Sequence, residues 1–88
     1  MRALVFQHTP EESPGTLEPW FRSRGISFDV HHWYRDGRAP EAARYDWLVI
    51  LGGPMNLDQE AEHPWLRDEK TFLRAWIESG KPVLGICL

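Results

Sequence analysis

The sequence predicts an α/β fold in which a parallel sheet carries helices on both faces. Three observations point there. Short apolar runs alternate with helix-patterned segments along the chain. One run, "DWLVIL" (residues 46–51), is continuous and rich in branched side chains, as suits a strand buried on both faces. The segment "HPWLRDEKTFLRAWIESGKP" (residues 63–82) places apolar residues at helical spacing between a helix start and a helix stop.

Taken in order, "ALVF" (residues 3–6) is a first strand, ended by Gln7, His8 and the breaker-rich "TPEESPG". "TLEPWFRSRG" then spaces Leu17, Trp20, Phe21 and Arg24 as a helix does, with Gly25 as its C-terminal cap. Pro19 is tolerated only in a first turn, so this helix begins near Leu17 or Glu18. "ISFDVHHW" alternates, with Ile26, Phe28, Val30 and His32 on one face of a second strand. "YRDGRAPEAARY" is turn chemistry with room for one helical turn, and "DWLVIL" is the third strand. In the long helix Pro64 takes the first position, Asp68 and Glu69 suit the early turns, and Gly80 and Pro82 end it. Trp65, Leu66, Phe72, Leu73, Trp76 and Ile77 form its apolar stripe, read as packing on the sheet rather than as a stacking platform. "PVLGICL" supplies a fourth strand, from Val83 to Ile86. Right-handed crossovers then put every strand C-terminus on one edge, with His8, "GGPMN" and Cys87, and ligands of open parallel sheets bind there.

The bulk properties narrow the function classes. Eighty-eight residues suffice for one small domain, read as residues 1–88 of a single unit. With 42% apolar residues, five Trp and four Phe, the chain is not composed like a disordered one. Thirteen acidic residues against ten basic ones, intermixed, leave no basic block, so nucleic acid is not an expected partner. No apolar run approaches the roughly 20 residues that span a bilayer, so neither is a membrane. "MRALVFQHTPEE" reads as a strand rather than a secretion signal, and a single cysteine forms no internal disulfide. Both fit a reducing cytoplasm, the expected location.

Two stretches carry chemistry. Cys87 follows a strand in which Gly85 leaves space beside the backbone. A nucleophile on a tight strand-to-helix turn needs small neighbours, and a helix N-terminus favours its thiolate. Taken alone, a cysteine in such a strand more often packs as a small hydrophobe. "LGGPMN" shifts the balance. Acyl transfer needs backbone N–H donors aimed at a developing oxyanion. Gly53 has such an N–H, Pro54 stiffens the turn, and the N–H of Leu88, next after the nucleophile, is a second donor. The plain alternative is a turn between strand and loop. Neither GxxxxGK[ST] nor GxGxxG occurs, so the stretch is not a phosphate loop. Among the histidines, His8 shares the edge with Cys87, but a 2-1-3-4 strand order would interpose a strand, leaving His8 a surface or loop-bonding role. His31 and His32 point to opposite faces and do not chelate one metal together. His63 is read as a helix-entry residue, and "DQEAE" (residues 58–62) as a solvated loop. No metal site and no cofactor are expected.

Together, "DWLVILGGPMN" and "HPWLRDEKTFLRAWIESGKPVLGICL", with a looser match at Pro14–Gly15, resemble the class I (triad) glutamine amidotransferase family. The likeness is greatest to stand-alone proteins similar to the glutaminase domain of GMP synthase. It implies a flavodoxin-like domain of which these residues are the incomplete N-terminal half. It maps the family's cysteine nucleophile onto Cys87 and its oxyanion glycine onto Gly53, with Gly52 beside it and Leu88 after the nucleophile. More weakly, it puts Met55 and Asn56 near substrate. The implied reaction is hydrolysis of the glutamine side-chain amide to glutamate and ammonia through a cysteine thioester. In the family, the motif continues with a glycine and a glutamine, and the catalytic His and Glu lie much further along. This sequence has no matching pair, so the 88 residues alone are expected to be inactive. Expected partners are glutamine, the missing C-terminal half, and a synthetase or a second copy of the chain. Two alternatives stay open: a γ-glutamyl hydrolase or PfpI-type peptidase-like enzyme, and a non-catalytic interaction module.

Overall fold

The computed structural model of the chain describes residues 1–10, 14–15, 17–36, 38–52 and 64–86. The elements run β1 (Arg2–Gln7), α1 (Leu17–Ser23), β2 (Ser27–His32), α2 (Trp33–Asp36), a 3-10 turn (Ala42–Arg44), β3 (Trp47–Leu51), α3 (Trp65–Glu78) and β4 (Val83–Ile86). All three strand pairings are parallel and the order is β2-β1-β3-β4. This is the strand order, and the sheet with helices on both faces, that the sequence predicts.

Alternation along the strands sorts the core into two layers. Leu4, Phe6 and Leu48 face α3 and α2, where they meet Phe72, Trp76 and Trp33. Ala3, Val5, Val49 and Leu51 face α1, where they meet Phe21. β1 is the best-buried strand, because it lies between two others and under helices on both sides. Gly25 (φ 67°) ends α1 and Gly80 (φ 79°) ends α3, both in the left-handed region that a side chain disfavours. Trp76 anchors α3: it is fully buried, stacks on Phe72 at 6.0 Å, and donates its Nε1–H to the Pro82 carbonyl. Lys81 lies over the Trp76 ring at 4.3 Å and donates to the carbonyls of Ala42 and Tyr45. A basic side chain thus fastens the end of α3 to the turn before β3. At the opposite end of the sheet from the strand C-termini, Arg2 and the Tyr45 hydroxyl both bond Asp29 Oδ2, joining β1 and β2. Burial resists ionisation of Asp29, but these two partners outweigh it and hold its carboxyl below the ordinary range.

Three details differ from the expectation. β2 stops at His32, and Trp33 begins a helical turn instead of prolonging the strand. The Asp36 carboxylate accepts the His32 backbone N–H at 2.8 Å and closes that turn, while Trp33 swings under Phe6, with rings 5.1 Å apart. In β2 the best-buried side chain is His31, not a member of the Ile26–His32 face. In α3 the stripe centres on Leu66, Glu69, Phe72 and Trp76, so Ile77 lies on its flank and is 64% exposed. Among the described residues, no helix is long and apolar enough to cross a membrane.

Candidate active site

The register makes the C-terminal edge of the sheet level. Gln7 pairs with His32, Phe6 with Ile50, Ile50 with Gly85, and Leu51 with Ile86. The next residues in sequence after β1 and β3, His8 and Gly52, therefore start from the same row of the sheet. Cys87 is next after β4. Gly53, Met55, Asn56, Cys87 and Leu88 lie outside the described residues, and so do His63 and the acidic stretch 58–62. Gly52 is within them and half-buried. Positive φ occurs at Gly15, Gly25 and Gly80 only among the described residues, so Gly52 does not use the left-handed freedom of glycine. Among the described residues, a Cβ placed on Gly85 would meet no atom within 4 Å.

His8 departs most from expectation. It is neither at the surface nor bonded to its loop: it is 7% exposed, and its Nε2 lies 2.7 Å from Oε2 of Glu69, itself 4% exposed. The Trp65 ring, 5.8 Å away, covers the imidazole. Against a carboxylate oxygen Nε2–H is the donor; the other ring nitrogen, Nδ1, has no partner among the described residues. A histidine held by a carboxylate is the pair that activates thiols. Here it stands at the end of β1, separated from β4 by β3, at two strand spacings of about 4.8 Å each. That is beyond the hydrogen-bond reach a general base needs for a nucleophile after β4. The sequence reading missed Glu69 as a site residue. The available signal was a carboxylate in the middle of the α3 apolar stripe, where burial requires a partner.

A second polar cluster closes the end of β2. His31 packs on Phe6 and Trp33, with centroids 6.0 and 4.4 Å away. Burial lowers its pKa from the ordinary 6.5, helped by His32 and opposed by Asp36 and Glu69. Asp36 receives the His32 backbone N–H, Arg35 and the His32 ring. Burial resists its ionisation, but these bonds win and bring it down to about 2. Among the described residues, no group of three or more His, Cys, Asp or Glu side chains is placed to hold a metal ion.

These two groups give stability an acid dependence with a defined sign. Folded His31 titrates below 6.5 and unfolded His31 near it, so the unfolded chain binds more protons in between. Stability should fall as the solution is acidified through that window. The Asp36 contribution is complete above 3.8 and is lost as pH falls towards about 2. Denaturant unfolding followed against pH should show both losses, and His31→Phe should remove the first. A stability difference between the two proteins that stays constant from neutrality into mild acid would refute the assignment.

Comparison with known proteins fits this architecture. Residues 16–88 match the family model described as glutamine amidotransferase class-I. The chain is 29% identical, over 92 aligned positions, to the glutamine amidotransferase-like protein YfeJ of Salmonella typhimurium, covering all of this chain and 38% of that protein. The crystal structure of a glutamine amidotransferase from Thermotoga maritima superposes with a TM-score of 0.90 at 30% identity, over 99% of this chain and 38% of that one. A glutamine amidotransferase from Methylobacillus flagellatus superposes at 0.85 and 25% identity, over 98% and 34% respectively. The chain thus spans less than two fifths of the length of these relatives. With the parallel sheet, its strand order and the residues matched, the chain belongs to the class I glutamine amidotransferase family.

Proposed function

We propose that this chain carries the nucleophile and the oxyanion strand of a glutamine-hydrolysing site. The observation that supports it is the register of β3 against β4. Leu51 pairs with Ile86, so the Gly-Gly-Pro stretch and Cys87 leave neighbouring strands from one row. In this reading the Cys87 thiolate attacks the side-chain amide carbon of glutamine. The N–H groups of Gly53 and Leu88 face the oxyanion, with Gly52, Met55 and Asn56 beside the substrate. Collapse of the tetrahedral species expels ammonia and leaves a γ-glutamyl thioester, which water hydrolyses to glutamate. Protonation of the leaving ammonia and activation of the thiol require a histidine oriented by a carboxylate, supplied from outside these 88 residues.

The remaining part of the domain is the proposed occupant of the open side of β4. Val83 and Leu84 are 44% and 52% exposed, and Leu84 joins Leu17, Trp20, Phe21, Trp47 and Val49 in an apolar groove between α1 and the sheet. Such a face seeks cover. The test of function is direct: the full-length protein, given glutamine, should release ammonia and glutamate in equal amounts. Cleavage of γ-glutamyl peptides with glutamine left intact would replace this reading by the γ-glutamyl hydrolase one. No turnover of either would leave an interaction module.

A further inference from the structure

We infer that the end of β2 and α2 together form an acid-opened latch, in which charging of His31 releases the turn that Asp36 closes on His32. The Asp36 carboxylate is already committed on both oxygens. Oδ2 accepts the His32 backbone N–H at 2.8 Å and faces the His32 ring nitrogen at 3.3 Å. Oδ1 is held by Arg35 at 2.9 Å. His31 Nδ1 stands 3.9 Å from Oδ2, beyond hydrogen-bond distance. The other His31 nitrogen, Nε2, is buried with no partner among the described residues, and the ring packs against Phe6 and Trp33.

The titratable and charged groups facing His31 are Asp36 from α2, its neighbour His32 from β2 and Glu69 from α3. Glu69 is itself held at 2.7 Å by His8, which follows β1. A charged imidazole presents an N–H at both nitrogens, and the one at Nε2 has no acceptor among the described residues. For the one at Nδ1, the carboxylate placed to serve is Asp36, which stays ionised through mild acid. Turning Oδ2 towards His31 takes it from the His32 N–H; leaving it in place strands a buried charge. Both outcomes favour an open turn in which His31 meets water, and the lowering of its pKa by burial has the same sign.

The topology keeps such an opening local. Among the described strands β2 lies at the edge of the sheet and pairs with β1 alone. Beyond α2, residues 38–41 belong to no helix or strand. Release of residues 31–36 breaks the pairings of His31 with Phe6 and His32 with Gln7, and leaves β1, β3 and β4 joined.

The test follows amide hydrogen exchange of the full-length protein by NMR from neutrality to about pH 5, corrected for the intrinsic pH dependence of exchange. The opening constant read at the His32 amide should rise by up to about tenfold per pH unit below 6.5, the slope of one bound proton. The amides of Leu48 and Val49 in β3 should stay at least about tenfold better protected throughout. His31→Phe, which suits the neighbouring Phe6 and Trp33, should flatten the slope at His32. Asp36→Ala should leave the His32 amide poorly protected already at neutrality, with little further change in acid. An opening constant at His32 that is flat with pH overturns the proposal, and so does one that follows the β3 amides in both size and slope. A slope that survives in His31→Phe, or an Asp36→Ala protein with parental protection at His32, overturns it equally.

Discussion

Trp76→Ala should destabilise the protein by about 3–5 kcal/mol, the largest single-residue effect in the described core. Trp76 is the largest fully buried side chain on α3, and its removal breaks three kinds of contact together. The stacked face of Phe72 is uncovered, the Pro82 carbonyl loses its donor, and Lys81 loses the ring beneath its ammonium. The last two lie where α3 hands over to β4, so the damage is not confined to a void. With typical domain stabilities of about 5–15 kcal/mol, such a loss leaves little margin. Urea unfolding should show a midpoint far below that of the parent with a similar slope. Trp76→Phe, which keeps most of the stacking but not the indole donor, should recover more than half of the difference. A Trp76→Ala protein within about 1 kcal/mol of the parent would show that α3 does not anchor the sheet in this way.

The same residues show how far a sequence reaches. Trp76, Phe72 and Leu66 announce themselves by helical spacing, and Gly25 and Gly80 by their place after periodic segments. All five do what those patterns imply. "WLVIL" reads as a two-sided buried strand because branched apolar residues have few other homes, and Leu48 and Val49 do face opposite layers. Local pattern runs out where a polar side chain is held by a partner distant in sequence. His8 and Glu69 are 61 positions apart, and nothing local to either identifies the other. Trp33 left β2 because Asp36 closed a turn on His32, a competition that strand alternation does not contain. For the candidate site the sequence supplied the motif and the fold supplied the register. The roles proposed for Gly53, Cys87 and Leu88 rest on motif and family.

Cys87→Ala in the full-length protein should lower ammonia release from glutamine by about 10⁴-fold or more, the loss typical of deleting a covalent nucleophile. In the proposed mechanism the sulfur carries the γ-glutamyl intermediate. Without sulfur there is no thioester, and water must attack an unactivated amide while an oxyanion hole alone lends help. Affinity for glutamine should change only a few-fold, because the sulfur forms its bond during the reaction rather than on binding. Cys87→Ser tests the same point differently. The hydroxyl fills nearly the same volume, but it is far less acidic than a thiol, so a site built to use thiolate should gain little from it. A radiolabelled glutamine quench should trap a γ-glutamyl adduct on the parent and none on either variant. Alanine at this position with more than about 1% of parental turnover would remove Cys87 from the chemistry. It would return the residue to the role free cysteines most often have, that of a small apolar side chain.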